Sequence, residues 1–293
     1  MARNARARRA SGLVGGLAAL SLLVTGCGGD SGGGNAPATD DPVAALKEAG
    51  AVTIGLANQP PYSGVEPGGE LVGVAPDVTQ TVLGKLGIDE VEGVAAQYGD
   101  LIPGLDSGRW DMIGAALNIT PERCKQVLFG DPIVVSTSSF AVEPGNPSGL
   151  GALEDVATSG DKLGVLQGSN LVQVAEAAGV PSDAMVEFPD VRSAIDGLGA
   201  GRVAAVFNNT TALEDLAAEK SSSFDIVDAS DAPVDFSSVA FRKADTGLRD
   251  AFNEQLGALR DSGDLAKILE KWGFADVAEY EGVTADQVCA GDV

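Results

Sequence analysis

Val52-Thr-Ile-Gly-Leu56 and the pattern from Ala75 to Leu86 together decide the fold class of this chain. The first stretch is short, β-branched and almost wholly apolar, as expected of a strand covered on both faces. The second repeats apolar residues at helical spacing and stops near Gly87, a residue suited to a helix end. The alternation continues outward from this pair. A helix is predicted from Gly99 to Leu105, then strands at Met112 to Ala116, Ser136 to Val142 and Lys162 to Leu166. Next come a helix from Val191 to Leu198, a strand at Ala204 to Phe207 and a helix from Thr211 to Glu219. Strands at Phe224 to Val227 and Ser237 to Phe241 precede two closing helices, Thr246 to Arg260 and Asp264 to Trp272. The composition is α/β, with parallel strands whose C-terminal ends form the natural ligand site.

A chain of 293 residues can hold one large domain or two ordinary ones. Lys and Arg total 19 against 42 Asp and Glu, a net charge of -23. Arg3, Arg6, Arg8 and Arg9 crowd into the first residues, so the body is more acidic still. Such a surface repels phosphate backbones and anionic membranes, which argues against nucleic-acid partners and against an electrostatic membrane foot. Histidine is absent, so Ser-His-Asp and Cys-His catalysis are excluded and the commonest zinc ligand is missing. No cofactor or metal is expected.

The N-terminus reads as a targeting segment. Its basic start leads into an apolar run from Leu13 to Val24. That run is shorter than the roughly 20 residues a membrane span needs and fits a signal peptide over residues 1–26. Leu23-Val24-Thr25-Gly26-Cys27 resembles the lipobox of bacterial lipoproteins, which implies cleavage before Cys27 and a lipid on its sulfur. A plain secretory peptide that happens to contain a cysteine is the alternative. Gly28 to Asp41 is rich in Gly, Ser, Asp, Asn and Pro, so residues 27–51 are expected to be a flexible tether.

Several segments, read in order, resemble the family 3 solute-binding proteins, the ligand-capturing subunits of ABC importers for polar amino acids and related compounds. They are Gln59-Pro-Pro-Tyr62, Gly73-Val-Ala-Pro-Asp77, Tyr98-Gly-Asp-Leu-Ile-Pro-Gly-Leu105, Ser107-Gly-Arg-Trp-Asp111, Asn118-Ile-Thr-Pro-Glu-Arg123, Gly164-Val-Leu-Gln-Gly-Ser169, Leu198 to Phe207, Phe241-Arg-Lys243 and Lys271-Trp-Gly273. The resemblance implies a two-lobed periplasmic-binding-protein-like α/β fold (type II), with two hinge strands and ligand held in the cleft between the lobes. Lobe 1 would be 52–136 plus 236–272, lobe 2 would be 137–235, and 273–293 a C-terminal extension. Glu90-Val-Glu-Gly93, Glu122-Arg-Cys-Lys-Gln126, Gly145-Asn-Pro-Ser-Gly-Leu150 and Phe241-Arg-Lys-Ala-Asp245 resemble the ectoine and hydroxyectoine binders within the family.

The same resemblance assigns roles to single residues. Arg123 matches the arginine whose planar guanidinium clamps a ligand carboxylate; taken alone, such a residue is more often a helix-surface arginine paired with Glu122 or a neighbour. Tyr62 and Tyr98 match two aromatic positions flanking the ligand, where ring faces suit an apolar stem or a cation; as bare residues they are half-buried packing groups. Ectoine binders carry an acid where this chain has Gln59 and an aromatic where it has Asn118. Amino-acid binders hold the α-ammonium with an aspartate where this chain has Asn209, and place a small hydroxyl residue at Asn118. Asn118 then serves as a direct hydrogen-bond partner, while Asn208 and Asn209 are also candidates to cap the Thr211 helix. Gln167-Gly168-Ser169-Asn170 follows a strand and opens a helix, a turn from which Ser169 would reach the ligand carboxylate. Cys124 and Cys289 can pair in an exported protein and tie the C-terminal extension to lobe 1, although in the ectoine-type motif Cys124 can be a lone buried thiol.

These features imply a lipid-anchored binding protein on the outer face of the cell membrane. It would be monomeric and would deliver a small zwitterion to an ABC permease. With neutral amides at 59 and 209, the expected ligand is ectoine-like or a modified amino acid. A standard polar L-amino acid remains the alternative if Asp77 or Asp235 reaches the cleft. A dehydratase-type enzyme on the same fold is a further one; it would need a positioned acid–base pair.

Overall fold

The computed structural model describes residues 42–219, 224–274, 280 and 282–293. The lipobox cysteine Cys27 and the Gly28 to Asp41 stretch lie outside these residues. Within the expected tether of 27–51, Pro42–Ala49 instead form helix α1. Proline at the first helical position costs no hydrogen bond, and Ala, Leu, Lys and Glu are strong helix formers. Val43 and Leu46, three apart, pack against the core of the first lobe.

The first lobe continues through β1 (Val52–Ala57), the short ribbon β2 (Gly64–Val65) and β3 (Leu71–Val72), α2 (Val74–Lys85) and β4 (Val91–Ala96). It then adds α3 (Leu101–Asp106), β5 (Met112–Asn118), α4 (Pro121–Cys124), β6 (Val127–Phe129) and β7 (Val134–Ser136). The chain crosses at Thr137 into the second lobe: β8 (Ser138–Val142), α5 (Leu153–Ser159), β9 (Leu163–Leu166), α6 (Leu171–Ala177), β10 (Met185–Phe188), α7 (Val191–Gly199), β11 (Ala205–Asn209), α8 (Thr210–Glu219) and β12 (Asp225–Asp228). It returns on β13 (Asp235–Arg242) and ends with α9 (Thr246–Asp261), α10 (Asp264–Lys271) and α11 (Ala285–Ala290).

Two sheets result. The first has strand order β4-β1-β5-β13-β6, with β7 also paired to β13; the second runs β10-β9-β11-β8-β12. The β4-β1-β5 and β10-β9-β11 cores are parallel. The remaining strands run the other way: β13 is antiparallel to β5, β6 and β7, and β8 is antiparallel to β11 and β12. The reason lies in the connectivity. The chain leaves the first sheet on β7 and re-enters it on β13, so the incoming strand runs against the outgoing one. For the same reason the run Ser136 to Val142 is two strands in different sheets rather than one. Thr137 Oγ1 and Thr210 Oγ1 are 3.0 Å apart at this crossing, and Thr210 N donates to the Thr137 carbonyl at 2.9 Å.

Each sheet is covered on both faces, giving two apolar clusters per lobe. In the first lobe Trp110 is fully buried against Gly55 and Gly104, and its Nε1 donates to the Leu101 carbonyl at 3.0 Å. A Cβ on Gly104 would stand 1.9 Å from the Trp110 ring, so only glycine admits the indole there. The C-terminal extension is tied down by a disulfide between Cys124 and Cys289, which closes a separation of 165 residues. Its helix α11 starts with a capping box between Thr284 and Gln287, and Ala285 N donates to Asp131 at 3.0 Å.

Candidate functional site

The C-terminal ends of the parallel strands of both sheets converge on one small cavity. The loop after β1 brings Gln59 and Tyr62, and the segment after β4 brings Tyr98. Asn118 ends β5, Ser169 and Asn170 follow β9, and Asn208 and Asn209 end β11. Of the residues singled out from the sequence, Gln59, Tyr62, Tyr98, Asn118, Ser169 and Asn209 line this cavity together. Arg123 does not; it sits at the rim, with its Cζ 5.3 Å from the centre of the Tyr98 ring. Asn170 and Asn208 complete its polar lining; the sequence offered Asn208 only as a helix cap and Asn170 only as part of the turn after β9.

Arg123 is buried and spans the cleft. One guanidinium nitrogen donates to the Asn118 carbonyl and another to the Gly168 carbonyl of the second lobe, both at 2.9 Å. It is not paired with Glu122, whose carboxylate lies 4.0 Å from Lys125 instead. Its presentation is local chemistry: Thr120 caps α4 by accepting from Arg123 N at 3.2 Å, with proline following at the first helical position. Tyr98 donates its hydroxyl to Asn118 Oδ1 at 2.7 Å, so the two lining groups fix each other. Tyr62 packs edge-on against Phe274 with ring centres 4.9 Å apart, and burial pushes its phenol above the ordinary range, keeping it a neutral donor. Across the cleft Gln59 donates to Asn208 Oδ1 at 3.5 Å.

Three buried polar atoms of the lining lack partners among the described residues: Tyr62 Oη, Ser169 Oγ and Asn170 Oδ1. Buried hydrogen-bonding groups left unpaired are costly, and a cluster of them around one cavity marks a place built for a polar ligand. The cavity measures about 10 Å³, near the lower limit for one water, too small for a solute in this arrangement of the lobes. A larger chamber of about 250 Å³ adjoins it, sharing Gln59, Tyr98 and Leu166 and extending to Gln97 and Arg192. Of the two acids considered from the sequence, Asp77 accepts from Lys271 and Trp272 in the first lobe and is not part of the lining. Asp235 stands directly behind Asn170 and Asn209.

The pattern of the bacterial extracellular solute-binding proteins, family 3, matches residues 52–275. The chain belongs to this family. A probable amino-acid ABC transporter periplasmic-binding protein of Sinorhizobium fredii is 31% identical over 84% of this chain and 85% of its own length. The L-arginine-binding protein of Pseudomonas aeruginosa is 30% identical over 77% of this chain and 89% of its own length. Among solved structures, EhuB in complex with hydroxyectoine superimposes with a TM-score of 0.81 at 35% identity, covering 85% of this chain and 97% of that one. The family 3 protein therefore has the two-lobed type II fold and binds a small solute outside the cytoplasm for an ABC importer. Its relatives are binding proteins rather than enzymes.

Proposed function

We propose that this protein captures a small zwitterionic carboxylate, ectoine-like or a modified amino acid, and hands it to its permease by lobe closure. The observation that carries this reading is the lining itself. Two tyrosines and a rim arginine surround a cavity whose other polar groups are amides and a serine, with no carboxylate among them. Arg123 offers a carboxylate two parallel donors. The cationic end meets Gln59 and Asn209 rather than acids, which favours a charge that is diffuse or rests against an aromatic face over a compact ammonium. Arg123, Tyr62, Tyr98, Asn118, Gln59, Ser169 and Asn209 are the proposed contacts. The likeness to a hydroxyectoine-bound structure supports the same class.

The proposal includes a lipid on Cys27, anchorage on the outer face of the membrane, and a monomer. It also takes 52–136 with 236–272 as lobe 1 and 137–235 as lobe 2, with the two crossings between the sheets acting as hinges. Competitive titration with ectoine, hydroxyectoine, glycine betaine, glutamine, arginine and cystine tests the ligand class. Glutamine, arginine or cystine binding at least about tenfold more tightly than the others would establish the standard amino-acid alternative instead.

A further inference from the structure

The second lobe's two lining asparagines are held by one buried acid. Asn170 Nδ2 donates to Asp235 Oδ1 at 2.8 Å, and Asn209 Nδ2 lies 3.4 Å from Asp235 Oδ2 and 3.2 Å from Ser136 Oγ. An ionised carboxylate only accepts, so each amide facing it must turn its NH2 inward. A carboxamide is planar, and its oxygen then points the other way. Asn170 Oδ1 is buried without a partner, and both residues line the cavity.

We propose that Asp235 turns Asn170 and Asn209 into a cation subsite: two carboxamide oxygens, polarised from behind by a carboxylate, that accept N–H bonds from the positive end of the ligand. This deepens the zwitterion reading and rests on it. The negative charge is one residue layer away from the ligand, so the site does not demand a compact ammonium. It does demand N–H groups, because an oxygen acceptor without a donor gains little from a fully methylated nitrogen. Protonated amidines and secondary ammonium groups satisfy it, whereas quaternary betaines do not. Asp235 acts as a positioning residue and touches no ligand.

Burial pushes the Asp235 carboxyl above its ordinary range, against the opposing pull of the Asn170 hydrogen bond and of Arg123. The charged and titratable groups facing it are the Arg123 guanidinium and the Tyr62 phenol; Ser136, Ser138, Asn170 and Asn209 are neutral. Acidification protonates Asp235, removes the charge and lets the amides turn. Affinity for an N–H cation should therefore fall as pH drops through the carboxyl's raised pKa.

The test begins with the wild-type protein and two probe pairs, ectoine against glycine betaine and L-proline against N,N-dimethylproline. The N–H member of each pair should bind at least about tenfold more tightly at pH 8, and its advantage should shrink as the pH is lowered. Asp235→Asn should lose most of that advantage and flatten the pH profile, while Asp235→Glu should restore part of both. Equal binding within the pairs, or a pH profile unchanged by Asp235→Asn, overturns the subsite while leaving the zwitterion reading in place. Failure of every probe to bind defeats both.

Discussion

Closure of the lobes brings two glycine backbones together, and this contact gives the sharpest test of the binding mechanism. Gly168 follows β9 with φ 74, and a Cβ placed on it would stand 2.6 Å from Gly99 Cα and 3.2 Å from Gly99 N. Carbon atoms pack at about 3.5–4.0 Å, so Gly168→Ala intrudes by about 1 Å on backbone that cannot swing aside. Two costs separate cleanly. The left-handed conformation costs an alanine about 1–2 kcal/mol whether the lobes are open or closed, so it lowers the melting temperature without touching affinity. The intrusion exists only when the lobes meet. At the usual cost of overpacking, about 1–3 kcal/mol, it weakens ligand binding by about 5- to 150-fold. Gly99→Ala is the control from the other side of the same contact. Its Cβ would find the nearest atoms, Gln167 O and Gly168 Cα, at 3.7 Å, which is ordinary contact. Calorimetric titration with the best ligand, together with thermal melts of the ligand-free proteins, reads both quantities. An unchanged Kd in Gly168→Ala alongside a lowered melting temperature would refute the claim that binding requires this approach of the lobes.

Arg123→Ala should weaken capture of any carboxylate ligand by about 2–5 kcal/mol while the protein still melts cooperatively; unchanged affinity by titration would remove Arg123 from the site. Arg123→Lys should recover little, since an ammonium lacks the planar fork that also reaches the Asn118 and Gly168 carbonyls. Cys289→Ser opens a link across 165 residues and should cost about 2–4 kcal/mol, seen as a lower melting temperature only under non-reducing conditions. Equal melting of variant and wild type without reductant would show that the link contributes nothing. Mass spectrometry of membrane-extracted protein should find a lipid on Cys27; an unmodified mature N-terminus would disprove the anchor.

Much of this molecule is local and therefore readable along the chain. Val52 to Leu56 becomes β1 because an apolar, β-branched run between turns has few other options, and the Ala75 to Leu86 pattern becomes α2 because one face must be buried. The Thr120-Pro121 start that presents Arg123 is equally local, as is the acidic balance that argues against nucleic-acid partners. Long-range pairing is different, because alternation of apolar residues says nothing about which strand lies beside which. That β8 turns antiparallel in a second sheet, or that α1 docks where a tether was expected, follows from where the chain returns and which apolar faces remain uncovered.

The same division runs through the site. Residue type told in advance that positions 59 and 209 carry neutral amides and not acids, and a motif was enough to single out Tyr62, Tyr98 and Arg123. Nothing in the sequence joins Asp235 to Asn170, 65 positions apart, or directs Asn208 toward Gln59, 149 positions apart. An amide's oxygen and nitrogen ends are interchangeable until a neighbour chooses between them, and here that neighbour is a carboxylate buried at the strand where the chain re-enters the first sheet. Composition sets which groups are available; only the closed fold, by removing water from around them, decides which atoms must face one another.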